Sequence, residues 1–132
     1  VADPGRLSSR QTPQRNLKKT LNFTFSGVSF HYKTEKRCNM FQIIAIASLK
    51  KGEAENFKKL IPAIVSTSKA DKGNVSYQCD QDALNPDVFI FQERWESDAA
   101  LDAHLAQPHF KEFAAAIEPL VAAPLAMHKI ML

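Results

Sequence analysis

Two short apolar segments constrain the fold of this chain more than any other feature. Residues 40–49 read MFQIIAIASL and residues 88–95 read VFIFQERW. Both are shorter than a typical buried helix and rich in Ile, Val and Phe, which is typical of strands in the middle of a sheet. The sequence therefore predicts a sheet built around these two segments.

The patterns between and after these segments predict helices and two further strands. The predicted helices cover 53–69, 98–106 and 109–121, and the further strands cover 75–80 and 125–132. Ser97 is a good N-cap for the second helix, and Pro108 suits the start of the third. Pro62 lies inside the first helix, where it should kink or split the helix near Lys58. On strand 75–80, Val75, Tyr77 and Cys79 are expected on one face.

The order β-α-β-β-α-β is that of the α+β ferredoxin-like fold, with helices on one face of a four-stranded sheet. The first, third and fourth strands are apolar on both faces, so the face without helices should also be covered. We expect a second copy of the chain to cover it, which predicts a homodimer.

The N-terminal third differs in charge from the rest. Residues 1–39 carry eight basic and two acidic residues, a net +6, whereas residues 40–132 carry nine basic and twelve acidic residues, a net −3. The sequence up to about Leu21 has the composition of a disordered segment. Residues 22–32 alternate apolar and polar side chains with a slip at Gly27, which fits a hairpin or a bulged edge strand.

Three interpretations of this basic extension remain open. It could be an arm that binds nucleic acid, or an extra strand or arm that binds a partner. The favoured interpretation is that residues 1–39 are flexible or not native and that the folded domain, residues 40–132, starts at Met40. We therefore expect no nucleic-acid partner.

Several classes of protein are disfavoured by the whole sequence. No apolar run approaches the ~18 residues that a membrane helix needs, and the first residues lack the apolar core of a secretory signal. Cys38 and Cys79 are too few for a disulfide framework. No glycine-rich phosphate loop supports flavin or nicotinamide binding. These observations predict a cytoplasmic protein that needs neither a membrane nor a cofactor.

The stretch from Phe91 to Phe113 carries the most specific pattern in the chain, E-x-W-x-S followed by L-x-x-H and P-H-F. The residues are Glu93, Trp95, Ser97, Leu101, His104, Pro108, His109 and Phe110. This pattern resembles the antibiotic-biosynthesis-monooxygenase family, which includes bacterial quinol monooxygenases. The resemblance extends over nearly all of residues 41–132, and it implies a ferredoxin-like domain that pairs into a dimeric α/β barrel.

The family includes haem-degrading enzymes, but two positions argue against haem here. Those relatives carry an Asn at the position of Ala45 and an iron-ligating His at the position of Ala114. An alanine can neither bind iron nor hydrogen-bond its ligand. An isomerase of a phosphorylated ligand would need a cationic cluster, and only Arg94 lies near the pattern. An isomerase and a non-catalytic ligand-binding dimer module stay as alternatives.

The resemblance implies a pocket that binds a small aromatic substrate. The candidate catalytic residues are His104, His109 and Glu93, and the candidate substrate-binding residues are Trp95, Phe91, Phe110, Phe113 and Tyr77. Each also has a structural interpretation, as a core residue, a helix cap or a buried carboxylate. His104 and His109 are separated by the break at Pro108, and no third ligand is apparent, so we expect no metal.

The predicted function is a cofactor-independent monooxygenase for a quinol, a polyphenol or a related aromatic compound. The substrate itself would supply the electrons to molecular oxygen. A histidine would accept a hydroxyl proton, and the closed pocket would keep water away from the oxygenated intermediate.

Overall fold

The computed structural model describes residues 39–132 in full and, before them, the backbone of two strands, β1 (Lys19–Phe25) and β2 (Val28–Thr34). These strands pair antiparallel, with Phe25 opposite Val28. Of the two alternatives for this segment, the structure has the hairpin. The disorder expected up to about Leu21 is wrong for residues 19–21, which belong to β1, and residues 1–18 lie outside the described ranges. The start of the folded domain at Met40 and the non-native origin of residues 1–39 stay predictions.

The second sheet carries the predicted fold. Its elements and the helices that cover it are β3 (Phe41–Ser48), α1 (Ala54–Lys69), β4 (Asn74–Gln81), β5 (Val88–Trp95), α2 (Asp98–Leu105), α3 (Pro108–Ile117) and β6 (Ala126–Met131). The four strands are antiparallel in the order β4-β5-β3-β6, which confirms the ferredoxin-like α+β arrangement. Within the described residues, none of the helices combines the length and the apolarity that crossing a bilayer requires.

The two strands predicted first, β3 and β5, lie side by side at the centre of this sheet. Ala45 is opposite Phe91, and Phe41 is opposite Trp95. Side chains alternate between the faces of a strand, and the buried side chains of β5 are every second residue from Phe89 to Trp95. This is the face division that the sequence predicts, and the helices pack on the buried face.

Phe57 anchors the helical layer to the sheet. This buried α1 side chain lies with its ring centroid 4.8 Å from that of Phe89 and 6.2 Å from those of Phe91 and Phe113. Tilted and edge-to-face ring pairs of this kind add to the stability that aromatic burial provides. One aromatic cluster therefore joins α1, α3 and β5, and it supports one side of the site described below.

Two helix predictions differ from the structure in detail. α1 runs unbroken through Pro62, so the expected split is wrong and the kink stays a prediction. Pro62 and Lys58 are both exposed, and water can serve the Lys58 carbonyl that the proline leaves without an N–H partner. α3 ends at Ile117, four residues before its predicted end. Glu118 still has helical dihedral angles, but Pro119 has no N–H to continue the helical hydrogen bonds.

The inward face of β4 is shorter than its alternation suggests. The pairing of β4 with β5 shifts register between Asn74 and Ser76, and Val75 in this bulge is 49% exposed. Tyr77 is buried as predicted, and Cys79 is half-buried against the core. A bulge adds one residue to a strand, so the side chain at the extra position leaves the shared face.

Candidate active site

A small cavity lies between the sheet, α2 and α3. It is lined by Ala45, Tyr77, Phe91, Glu93, Leu101, His104, Leu105, Phe110, Phe113, Leu125 and Met127. Its free volume is about 20 Å³, enough for roughly one water molecule. Most of the wall is apolar, and the ionisable side chains on it are Tyr77, Glu93 and His104. Three ionisable groups therefore line one small, mostly apolar cavity.

Strand pairing and a helix cap bring these three groups together. Tyr77 on β4 is directly opposite Glu93 on β5, so both side chains point into the same layer. The Ser97 Oγ accepts a hydrogen bond of 3.2 Å from the Ala100 N–H, which confirms Ser97 as the N-cap of α2. With the start of α2 fixed directly after β5, His104 in its last turn faces the cavity.

Glu93 is a buried carboxyl with an unusual affinity for its proton. Burial raises its pKa from 4.5 to about 7, although hydrogen bonds from Trp95 and Tyr77 to the carboxylate oppose the shift. The Trp95 Nε1–H donates to Glu93 Oε2 at 2.9 Å. Near neutral pH this side chain exists in both protonation states, so it can either donate or accept a proton inside the cavity.

Tyr77 and Cys79 are held in their neutral forms. Burial, with the Glu93 charge as the next cause, raises the pKa of Tyr77 well above its usual 10. Burial likewise raises the pKa of the Cys79 thiol to about 12, so it carries no thiolate nucleophile at neutral pH. Ser68 is buried, and within the described residues its Oγ has no partner that meets hydrogen-bond geometry. The Ser68 hydroxyl nevertheless lies near the Tyr77 phenol and lowers the pKa of Tyr77. Ser68 thus retains hydrogen-bonding capacity beside Tyr77.

His104 is fixed from behind by a carboxylate. Its Nδ1 lies 2.7 Å from Asp71 Oδ2, and the Nε2 of His109 lies 2.8 Å from the same oxygen. The His104 ring packs against Trp95, at 4.7 Å between centroids, and against Phe110, at 5.1 Å. Burial lowers the pKa of His104, while the hydrogen bond and the charge of Asp71 act in the opposite direction. A neutral, well-oriented imidazole therefore faces the cavity.

One donor atom from each of Asp71, His104 and His109 lies within 4.8 Å of the other two, a separation that would also suit a metal centre. Ligands held ~2.0–2.2 Å from one zinc ion in a tetrahedron lie roughly 3.3 Å or more apart. The contacts of 2.7 and 2.8 Å to Asp71 are shorter and are hydrogen bonds as placed. The expectation that no third ligand accompanies His104 and His109 is wrong, because Asp71 is there; the absence of a metal stays a prediction.

Comparison with known proteins agrees with this geometry. Residues 40–116 match the family model described as antibiotic biosynthesis monooxygenase, more than half of the chain. The chain belongs to the antibiotic biosynthesis monooxygenase family. The resemblance drawn from residues 91–113 is thereby confirmed.

Proteins similar to this chain come from Bacillus subtilis, Synechocystis sp. and Pseudomonas aeruginosa. It is 29% identical over 86 residues to the Bacillus subtilis protein named "Putative monooxygenase YcnE", covering 65% of this chain and 90% of that protein. It is 33% identical over 76 residues to "Uncharacterized protein sll1783" of Synechocystis sp., covering 58% of this chain and 52% of that protein. The solved structure of PA3566 from Pseudomonas aeruginosa superimposes with a TM-score of 0.67 at 28% identity, covering 71% and 94% of the two chains.

Within this antibiotic biosynthesis monooxygenase domain, six of the eight candidate site residues line the cavity. They are Tyr77, Phe91, Glu93, His104, Phe110 and Phe113. Trp95 is buried behind Glu93 and touches the site through its hydrogen bond. His109 lies in an outer groove of about 320 Å³ between α1 and α3. The roles of all eight residues stay predictions.

Asp71 is the site residue that the sequence did not reveal. It lies in the turn Asp71-Lys72-Gly73-Asn74, where an aspartate is an ordinary turn residue. It is separated from His104 by 33 residues and from His109 by 38. No local spacing signals such a contact, and only the pairing of β4 with β5 brings the turn to α2.

Proposed function

We propose that this chain is a cofactor-independent monooxygenase that oxidises a quinol, a polyphenol or a related aromatic compound with molecular oxygen. The observation that carries the proposal is the placing of His104 and Glu93 on the wall of one mostly apolar, aromatic cavity. A phenol needs a base to become an electron-rich anion. Burial lowers the pKa of His104 and so favours a neutral imidazole that can accept the proton, and the pKa of Glu93 is about 7.

The walls of the cavity suit a planar ring. Phe91 and Phe113 lie 5.8 Å apart at 73°, and Tyr77 stands edge-on to Phe91. The free volume of about 20 Å³ is well below the ~150 Å³ that a benzene-sized guest occupies in a protein cavity. Substrate binding on this proposal therefore includes an outward movement of the lining, and closure around the ring then excludes water.

The chemistry balances without a cofactor. His104 accepts a hydroxyl proton from the quinol, and the resulting anion transfers electrons to oxygen. One oxygen atom bonds to a ring carbon, and the other leaves as water after it takes up two protons, one of which Glu93 can deliver. The sum is quinol plus O₂ giving hydroxyquinone plus water, so the substrate provides all of the electrons.

An isotope experiment tests this reaction. Reduced quinols and flavonoids are incubated with the protein under ¹⁸O₂, and both oxygen uptake and the mass of the product are measured. We expect one labelled atom per product molecule and one O₂ consumed per substrate. Equal turnover with and without oxygen, or a product that carries no label, would rule out the proposal and leave an isomerase or a binding module.

A matched pair of variants connects the activity to the cavity. His104→Gln removes the base, and general-base catalysis contributes on the order of 10²–10⁴-fold in rate. His128→Gln makes the same change on β6, outside the cavity lining and opposite Ile44 on the sheet face proposed below as the pairing surface. Glutamine stays polar there, so pairing should be retained, and light scattering checks it. We expect the first variant to lose activity by at least about 10²-fold and the second to keep it, with both folded by circular dichroism.

We further propose that a second copy of the chain covers the face of the sheet opposite the helices. Ile44 and Ile46 on β3 and Ile90 on β5 point to this face and are only half-buried, and Ile130 on β6 is exposed. Gln42, Gln92, Arg94 and His128 lie beside them on the same face. An exposed apolar patch bordered by polar residues is typical of a subunit interface. The pairing is the one that the family's dimeric barrel implies.

A further inference from the structure

One carboxylate oxygen serves both of the histidines that the sequence singles out. Asp71 Oδ2 lies 2.7 Å from His104 Nδ1 and 2.8 Å from His109 Nε2. The three side chains form a gradient from core to surface, with 1% of His104, 11% of Asp71 and 25% of His109 exposed. Only His104 of the three lines the cavity. Asp71 and His109 therefore reach the reaction only through His104.

The chemistry of a carboxylate decides which ring nitrogen of His104 carries the proton. An ionised carboxylate only accepts hydrogen bonds, so both imidazoles must donate to it. His104 then holds its proton on Nδ1, and Nε2 keeps the lone pair that can accept a substrate proton. The rings of Trp95 and Phe110 pack against the imidazole and His104 is almost fully buried, so this packing restricts a flip of the ring.

We propose that Asp71 is a positioning residue that fixes His104 in its Nδ1-protonated tautomer, and that His109 holds Asp71 in place instead of acting on the substrate. The inference rests on the proposed role of His104 as a base. It reassigns His109, one of the candidate catalytic residues, to support of the carboxylate.

The backbone holds Asp71 in position independently of the two histidines. The Asp71 N–H donates to the Ser68 carbonyl at 3.1 Å, and the Asn74 N–H donates to the Asp71 carbonyl at 3.0 Å. The turn is tied to the end of β5, because the Glu96 N–H donates to the Gly73 carbonyl at 2.9 Å. The turn thus places the backbone of Asp71, and the hydrogen bonds to His104 and His109 hold its carboxylate, as a positioning group requires.

The groups around His104 predict opposite effects for the two supporting residues. Asp71 favours the charged form of His104 through its hydrogen bond and its charge, whereas the charge of His109 disfavours it. Tyr77 and Glu93 also face His104 from the sheet. Removing the Asp71 charge should therefore move the acid limb of the rate profile to lower pH, and removing His109 should move it to higher pH.

The first experiment reads the tautomer directly by two-bond ¹H–¹⁵N NMR of the imidazoles at pH 8, and needs no substrate. In the unmodified protein we expect His104 to be protonated on Nδ1. In Asp71→Asn the amide can donate to Nδ1, so we expect a shift toward the Nε2-protonated form. Asp98→Asn is the matched control, an equally buried carboxylate that pairs with Lys129 and does not touch His104. It should leave the His104 signals unchanged.

The second experiment uses the oxidation of a quinol. Asp71→Asn should lower kcat by about 10²-fold with little change in KM, because Asp71 does not line the cavity. His109→Gln keeps a donor near the position of Nε2 and should retain most of the activity, whereas His109→Ala should not. These histidine variants test the proposal even if Asp71→Asn does not fold.

The two experiments fail in distinguishable ways. An unmodified protein without activity toward any quinol would overturn the proposed function, and the tautomer measurement would still decide the role of Asp71. An Nε2-protonated His104 in the unmodified protein, or a tautomer that Asp71→Asn leaves unchanged, would overturn the inference. Equal losses of activity in His109→Gln and His109→Ala would show that His109 acts as more than a donor to Asp71.

Discussion

At the residue scale, Glu93 is a carboxyl that is buried and has no positively charged partner among the groups that shift its pKa. It is buried in an apolar wall, and its side-chain partners are the weak donors Trp95 and Tyr77 instead of a cation. Burial without a positive partner raises a carboxyl pKa, and shifts of this kind gather at functional sites. The structure accordingly pairs a carboxyl titrating near pH 7 with a neutral histidine in one cavity.

This shift makes stability depend on pH in a defined direction. The pKa of Glu93 is 4.5 without the fold and about 7 in it, so the folded protein binds this proton more tightly. Its contribution to stability is complete below about pH 4.5 and is lost as the pH rises through about 7. Glu93→Gln cannot ionise, so relative to the unmodified protein it should gain roughly 3 kcal/mol of unfolding free energy between pH 4 and pH 8.5.

Urea unfolding of both proteins across this pH range measures the gain. Glu112→Gln is the matched control, because Glu112 is exposed and its replacement should leave the difference flat. If the difference in unfolding free energy between Glu93→Gln and the unmodified protein also stays constant with pH, burial does not raise the pKa of Glu93.

The residues of the site were predictable to different degrees. Period-two alternation on β5 predicts that Phe91, Glu93 and Trp95 share one buried face, and they do. Alternation does not show how far a side chain lies from a cavity. It therefore did not predict that Trp95 lies outside the cavity lining and is joined to it through the hydrogen bond to Glu93. Asp71 was not predicted, because its contact with His104 spans 33 residues and depends on strand pairing, which the local sequence does not indicate.

At the scale of elements, the turn between α1 and β4 is where the site depends on close packing. Gly73 has φ = +84°, and a Cβ built there would lie 2.4 Å from the Cβ of Ala100 on α2. This turn also carries Asp71, so the distance between the turn and α2 sets the geometry of Asp71 and His104. Gly52, in the turn before α1, has a similar φ of +88° but nothing within 4 Å of such a Cβ.

The two glycines provide a matched pair of substitutions. Gly52→Ala meets only the backbone penalty of a positive φ, about 1–2 kcal/mol. Gly73→Ala adds the overlap with Ala100, and we expect a total loss of roughly 2–5 kcal/mol in unfolding free energy. Gly73→Ala should also lower activity, because α2 must move away from Asp71. Equal losses of stability in urea unfolding would contradict the close approach.

Element types were predictable because local rules govern them. Ser97 marks the start of α2, and alternating or continuous apolar runs mark the strands. Element ends were less predictable, since α3 stops at Ile117 and α1 continues through Pro62. At Pro62 the helix continues because the backbone there is exposed to water, and this exposure depends on the tertiary fold. The end of α3 follows from Pro119, and only the exact last residue was missed.

At the scale of the whole molecule, the open face of the sheet predicts self-association. Ile44 lies at the centre of that face, where a lysine would be buried between the two copies without a partner. We expect the unmodified protein to elute at twice the chain mass at micromolar concentration, measured by size-exclusion chromatography with light scattering. Ile44→Lys should elute as a monomer.

Leu84→Lys provides the control for this change. Leu84 is 96% exposed in the loop between β4 and β5 and lies outside the sheet face. The same loss of an apolar side chain there should leave the mass unchanged. A monomer mass for the unmodified protein would contradict the proposed pairing.

The position of Trp95 makes the fluorescence of the protein sensitive to the candidate site. It is the single tryptophan of the chain, its indole N–H is bonded to Glu93, and its ring lies 4.7 Å from that of His104. All of the indole fluorescence of the protein therefore originates beside the candidate site. Ionisation of Glu93, protonation of His104 and arrival of an aromatic guest can each change that emission, so the protein carries its own optical reporter without a label.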